Sequence, residues 1–137
     1  MFLFDEIIKH FSNKEETDVR FYYLSLIKEN TDEYSIHGLW PQYNEHSYPS
    51  FCKKVNFDIS QLNDILPELE KYWYSNIGDS GIEFDEKFWK HEYEKHGSCV
   101  FTPLTEKEYF EQTIKLYDTA IKEKLPEQFS LEFEFME

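Results

Sequence analysis

The 137-residue chain is long enough to bury one core and short for two ordinary domains, so a single domain over residues 1–137 is expected. Hydrophobic residues at 40% and charged residues at 31% give a soluble globular balance, and no run approaches the roughly 20 apolar residues of a membrane-spanning helix, which predicts no membrane partner. Twenty-eight acidic against fourteen basic residues set the net charge at −14, which excludes a broad cationic surface and confines any nucleic acid to a small local site.

The N-terminal MFLFDEIIKHF carries Asp5 and Glu6 inside its apolar stretch and lacks the basic start and small-residue cleavage site of a signal peptide; it reads as an amphipathic helix, followed by a polar linker from Ser12 to Asp18. Val19 to Ile27, VRFYYLSLI, has the aromatic and branched content of a buried strand. A polar turn from Lys28 to Glu33 leads to a second strand, Tyr34 to Trp40, pairing antiparallel with the first. Pro41 to Asn56, broken by Pro41, Asn44, Ser47, Pro49 and Ser50, reads as a loop.

Ile59, Leu62, Ile65, Leu66, Leu69, Tyr72 and Trp73 recur at helical spacing, with Pro67 dividing the segment into two short helices. After a turn at Gly78 to Gly81, Asp85 is the expected N-cap of a helix running through Phe88, Trp89 and Tyr93, with Gly97 at C′. Thr105 and Glu108 form a T-x-x-E capping box, and Tyr109, Phe110, Ile114, Leu116, Tyr117, Ile121 and Leu125 continue one apolar face up to Pro126. Phe129, Leu131, Phe133 and Phe135 alternate with Ser130, Glu132 and Glu134, the period of a half-exposed strand. No repeat or low-complexity tract is present. The elements together describe an α+β fold, a small antiparallel sheet packed against helices.

The segment HEYEKH concentrates the chemistry. At about 100° per residue, with His91 at zero, Lys95 falls near 40°, Glu92 near 100° and His96 near 140°, all on one side of a helix, while Trp89 and Tyr93 lie beyond that arc and face the core. The plain alternative is a solvated face with an ordinary Glu92–His96 i,i+4 pair. Zinc binding is a third reading, but H-E-x-x-H needs imidazoles at i,i+4, whereas His91 and His96 stand at i,i+5 with the Lys95 ammonium between them. No metal and no cofactor are expected.

SIHGLWPQ and FWKHEYEKHGSC, taken together, resemble the two active-site signatures of the ribonuclease T2 family, the transferase-type acid ribonucleases. Ile36 to Pro41 matches the first; Phe88-Trp89, His91-Glu92, Lys95-His96-Gly97 and Cys99 match the second with its internal spacing. Tyr93 stands where a tryptophan is usual and Ser98 where a threonine is usual. Weaker similarity runs from about Phe21 to Tyr117. Against the family pattern the chain is short: the cysteine-bearing segment between the first two strands is absent and the region after Leu125 is curtailed.

The resemblance implies a sheet carrying His37 and a helix carrying His91 and His96, and an endoribonuclease that cleaves single-stranded RNA without a metal. It assigns His96 as base, His37 as acid, His91 as phosphate holder, and Glu92 and Lys95 as stabilisers of the transition state. RNA brings its own nucleophile, the 2′-hydroxyl, and two imidazoles with ordinary midpoints near 6.5 suit a base and acid pair. Trp40 and Tyr48 fall at base-stacking positions, and Gln42 falls where some relatives carry an Asp that favours adenine, which leaves base preference open. His10 and His46 receive no role.

By the same resemblance Cys52 and Cys99 form the family's central disulfide, a bridge worth roughly 4 kcal/mol by chain entropy; reduced thiols are the alternative. The expected partner is single-stranded RNA and the expected state a monomer. The family implies a secreted or endolysosomal setting that this N-terminus does not display. The rival function is an inactive relative that binds RNA or protein; it would be free to lose a catalytic residue, and here every one of those positions is filled.

Overall fold

Aromatic and branched side chains hold Phe21–Lys28 extended as β1, the central strand of a three-stranded antiparallel sheet in the order β2-β1-β3. The structure, a computed structural model, describes residues 19–28, 33–75, 81–101, 103–123 and 128–132. The expected N-terminal helix and linker, with His10, lie outside these residues. β2 is Tyr34–Gln42 and β3 is Gln128–Glu132. Between them come a 3₁₀ helix, Ile59–Ile65, then α1, Leu66–Tyr72, α2, Ile82–Lys95, a 3₁₀ turn, Gly97–Cys99, and α3, Glu106–Glu123. This is the expected α+β architecture.

The core lies between the sheet and the helices. Tyr22, Leu24, Ile36, Leu39, Leu62, Leu69, Trp73, Trp89, Tyr109 and Phe110 are fully enclosed in it. Central position explains why β1 reads as a nearly continuous apolar run, with Phe21, Tyr22, Leu24, Ser25 and Leu26 all buried.

The register of β2 on β1 contains one irregularity. Ser25 pairs with Gly38 and Leu26 with Ile36, which leaves His37 as an extra residue, the unpaired position of a β-bulge. In a regular strand, residues three apart point to opposite faces. The bulge cancels that alternation. Ile36 and Leu39 both enter the core, while His37 and Trp40 share the other side, their rings 5.0 Å apart.

Aromatic donors fix this edge strand to the helical layer. Trp73 Nε1 donates to the His37 carbonyl at 3.1 Å, Tyr109 Oη to the Leu39 carbonyl at 2.8 Å, and Tyr117 Oη to the Tyr34 carbonyl. Trp89 Nε1 in turn donates to the Trp73 carbonyl, so α2 is tied to the residue that holds the bulge.

Several sequence expectations are refined by the packing. β2 runs past Trp40 through Pro41 and Gln42; an edge strand tolerates a proline because one side of its backbone has no ladder to complete. Pro67 does divide the first helical segment, but the half before it is 3₁₀, capped by the Asp58 carboxylate on Ser60 N–H.

Asp85 is not an N-cap. The helix begins at Ile82 with Gly81 as its cap, and Asp85 lies a turn inside, buried, accepting from Ser75 N–H at 2.8 Å. Its carboxylate ties the preceding loop to the helix instead of closing the helix's own first turn. Gly97 does follow the His96 C-cap, and the space is taken by Tyr93, whose Cδ1 would stand 2.6 Å from a Cβ there. The Thr105–Glu108 box forms in both directions, at 2.8 and 3.1 Å.

Trp73→Phe is expected to lower the unfolding free energy by about 2–4 kcal/mol in urea titrations, because it removes the indole donor from a part-buried carbonyl and leaves a small void. Unchanged stability would show that the bulge does not depend on this donor.

Candidate active site

The bulge on β2 and the polar arc of α2 converge on one cavity of about 330 Å³. His37, His91, Glu92, Lys95 and His96 all line it, as do Trp40, Gln42 and Tyr48. The candidate catalytic and base-binding residues read from the sequence are therefore brought together, while Cys52 and Cys99 lie outside the lining. Tyr23, Glu45 and His46 also line the cavity and were not assigned to it by sequence. Tyr23 is the β1 partner of Trp40, a relation that depends on the bulged register and leaves no mark in a linear pattern. His46 is exposed at the rim.

Glu92 is the pivot of the arrangement. Only 2% exposed, it accepts from Trp40 Nε1 at 2.9 Å through Oε1, and the same oxygen stands 4.0 Å from His96 Nε2. Trp40 lies nearly parallel to the His96 ring, with centroids 5.0 Å apart. One indole thus aligns both the carboxyl and the imidazole. Gly38 makes room for them: a Cβ there would fall 2.1 Å from Glu92 Oε1 and 2.5 Å from Trp40 Nε1, so only glycine fits between strand and helix.

Tyr48 projects from the loop after β2, 46% exposed, with its ring tilted against His96 and Lys95 Nζ 5.6 Å from the ring centre. Gln42 lines the cavity too, but it is buried and its amide donates to the carbonyls of Asn44 and Ser47, so those N–H groups hold the loop closed.

The Cys52–Cys99 disulfide is formed and joins that loop to the end of α2. Cys52 N–H also donates to Ser98 Oγ at 3.0 Å, which in turn donates to the Glu94 carbonyl. Serine at position 98 supplies both contacts through its hydroxyl.

Burial and like charge set the ionisation of the cluster. Burial pushes Glu92 up to about 7, against the opposing pull of the Trp40 hydrogen bond and the Lys95 charge. His96 is pushed down to about 3, first by burial, then by Lys95, His91 and His37. His37 is lowered by burial and by its neighbours His91 and Lys95. His96 is therefore a neutral imidazole over most of the pH range, and its buried Nδ1 has no hydrogen-bond partner. A neutral nitrogen base beside protonatable imidazoles and a lysine forms a setting for proton transfer at an anionic centre.

Among the described residues, no group of three or more His, Cys, Asp or Glu is placed to hold a metal ion, and no helix is long and apolar enough to cross a membrane.

Comparison with known proteins bears on the same residues. The family model of the ribonuclease T2 family matches residues 11–127. Ribonuclease 1 of Arabidopsis thaliana is 40% identical over 85 residues, covering 61% of this chain and 36% of that protein. Ribonuclease T2 of Homo sapiens is 37% identical over 89 residues, covering 63% and 32%. The matched region thus spans about a third of the length of these relatives. Among solved structures, RNase NT in complex with 5′-AMP superposes with a TM-score of 0.59 at 27% identity, covering 80% of this chain and 64% of that one. A mutant of ribonuclease MC1 superposes with a TM-score of 0.63 at 20% identity, covering 73% and 58%, a likeness of fold.

The opposed shifts of Glu92 and His96 make a testable signature. Glu92, raised from 4.5 to about 7, contributes stability that is complete below 4.5 and lost as pH rises toward 7. His96, lowered from 6.5 to about 3, contributes stability that is complete above 6.5 and lost as pH falls toward 3. Their slopes oppose each other between 4.5 and 6.5. Glu92→Gln removes the first contribution, so the stability of the variant relative to the parent is expected to rise between pH 4.5 and 7, read as the difference in thermal midpoints. A difference that stays constant across that window contradicts a raised Glu92.

Proposed function

The chain belongs to the ribonuclease T2 family, and on that premise we propose that it is an endoribonuclease cleaving single-stranded RNA by metal-independent transesterification. The observation that carries the reading is the single cavity in which His37, His91, Glu92, Lys95 and His96 meet. The relatives' names, ribonucleases of plant and human origin, and the 5′-AMP in the RNase NT complex support it.

In the proposed reaction, neutral His96 takes the proton of the 2′-hydroxyl, the 2′-oxygen attacks phosphorus, and the 5′-oxygen departs with a proton from His37. The products are a 2′,3′-cyclic phosphate and a 5′-hydroxyl. Hydrolysis reverses the roles: His37 accepts a proton from water, the water oxygen attacks phosphorus, and the 2′-oxygen leaves with the proton held by His96, giving a 3′-phosphate.

His91 and Lys95 hold the phosphate by charge. Glu92, protonated through the acidic range, accepts from Trp40 on one oxygen and offers the other as donor to a non-bridging phosphate oxygen. Tyr48 presents a half-exposed ring on which a base can stack, with Trp40 beside it at the cavity wall. The chain acts on RNA as a monomer.

The ionisation pattern supports these assignments. The stronger depression falls on His96, so between the two midpoints the base is neutral while the acid is protonated. The kcat/KM on a dinucleotide is expected to follow a bell in the acidic range. Its alkaline limb lies below the ordinary 6.5 of histidine as His37 loses its proton, and its acidic limb reaches down toward 3 as His96 gains one. A rate still rising through pH 9 overturns the two-histidine mechanism.

His37→Ala and His96→Ala are each expected to reduce turnover by about 10²–10⁴ with the fold retained by circular dichroism. Cleavage is expected to persist in excess EDTA; its abolition would return the reading to metal catalysis. A folded protein that binds RNA without cutting it would instead be the inactive relative.

A further inference from the structure

Beside the catalytic cavity lies a second, of about 510 Å³, bordered by Phe51, Lys53, Lys54 and Asn56 from the loop after β2 and by Lys90 and Glu94 from α2. Three lysines and one carboxylate in its lining reverse the sign of a chain whose net charge is −14. The carboxylate, Glu94, is paired with Lys90 at 3.1 Å, which leaves the two loop lysines as the surplus positive charge.

The two cavities adjoin at Phe51, whose ring stands edge-on to His91 with centroids 6.2 Å apart. Phe51 is 57% exposed and has a φ of 48°, the left-handed region that a bulky side chain avoids. Burial does not compensate that conformation. It is held from the backbone, by Phe51 N–H on the Lys95 carbonyl at 2.9 Å, Cys52 N–H on Ser98 Oγ, and the Cys52–Cys99 bridge. The fold thus fixes an exposed aromatic ring beside His91, with Lys53 and Lys54 two and three residues further along the chain. Strained, exposed and anchored together, such a residue points to a ligand.

We propose that this second cavity is a nucleotide subsite through which a longer RNA strand continues beyond the catalytic pocket, with a base stacked on Phe51 and the next phosphate held by Lys53 and Lys54. The inference rests on the ribonuclease reading for its ligand. Charge complementarity and continuity with the catalytic cavity select a single strand: its backbone carries the anions and its unpaired bases offer the faces that stack on an aromatic ring.

The test compares a hexanucleotide with a dinucleotide, in the parent and in the Lys53→Gln/Lys54→Gln double variant. The ratio of kcat/KM for the long substrate to that for the short one is expected to fall on the order of tenfold in the variant. The slope of log kcat/KM for the hexanucleotide against log salt should flatten by about 0.7–1.4, the loss of one to two phosphate contacts to a single strand. A ratio and slope equal to the parent's overturn the subsite.

Binding is measured separately by fluorescence anisotropy with a 2′-O-methyl hexanucleotide, which has no free nucleophile. About tenfold weaker binding by the double variant supports the subsite even if the parent cuts neither substrate, an outcome that removes the catalytic reading alone. Equal binding by parent and variant, or no binding by either, overturns it and leaves the groove to an acidic protein segment. Phe51→Gly, which keeps the backbone conformation and removes the ring, is expected to weaken the same binding; an unchanged Kd contradicts base stacking there.

Discussion

The bulge at His37 is the constraint on which the rest of the site depends. A strand alternates its side chains, so two residues three apart can share a face only where the ladder gains an extra residue. His37 is that residue, and its carbonyl leaves the ladder to accept from Trp73 Nε1. Tyr109 takes the Leu39 carbonyl on the far side of Gly38, so both flanks of that glycine are pinned from the helical layer. Between the pins Gly38 opens the space that the Glu92 carboxyl and the Trp40 N–H fill. Remove the bulge, and His37 and Trp40 part to opposite faces while Ile36 and Leu39 can no longer both be buried. The core and the cavity are therefore consequences of one register, and the packing of the core selects the register that builds the cavity.

Burying a carboxyl and an imidazole 4.0 Å apart has a second consequence. Each resists charge for the same reason, loss of water, and the two therefore shift in opposite directions. The surrounding charges act unequally: Lys95, His91 and His37 push His96 further down, while Lys95 pulls Glu92 back toward its charged form against burial. A phosphate entering the cavity supplies the negative charge that this cluster lacks. The arrangement is costly without an anion and is relieved by one, which is the electrostatic logic of preorganisation.

How far the sequence discloses this follows from the range of each signal. Helix-period apolar faces, the Thr105–Glu108 box and the arc of His91, Glu92, Lys95 and His96 are local, and each has its expected place in the structure. The signatures also carry the disulfide: two cysteines allow one pairing, and spacing alone does not say whether it forms. The bulge is invisible because a strand's period is read without knowledge of its partner. Asp85 satisfies the local rule for a cap, an Asp before an apolar helical run, whereas its bond is to Ser75 in a loop ten residues earlier. Gln42 follows the same lesson: the motif gives its position, and only the fold reveals that its amide is engaged with Asn44 and Ser47. Local chemistry was legible; partners supplied by tertiary contact were not.

A net charge of −14 opposes an RNA substrate only until distance is considered. At physiological ionic strength the Debye length is about 8 Å, so carboxylates elsewhere on the surface act on a bound strand only weakly. In the proposed reaction the cations offered to a phosphate in the cavity are the imidazoles and Lys95, and beyond Phe51 the adjoining groove adds Lys53 and Lys54, its Lys90 being paired with Glu94. Lys53, Lys54 and Lys95 lie along one short path within a chain that is acidic overall. Attraction at contact distance survives screening that removes repulsion at long range. On the proposed function, an acidic protein would thus hold an anionic strand along that path alone, and the same charge balance would suppress non-specific adsorption of RNA to the remaining surface.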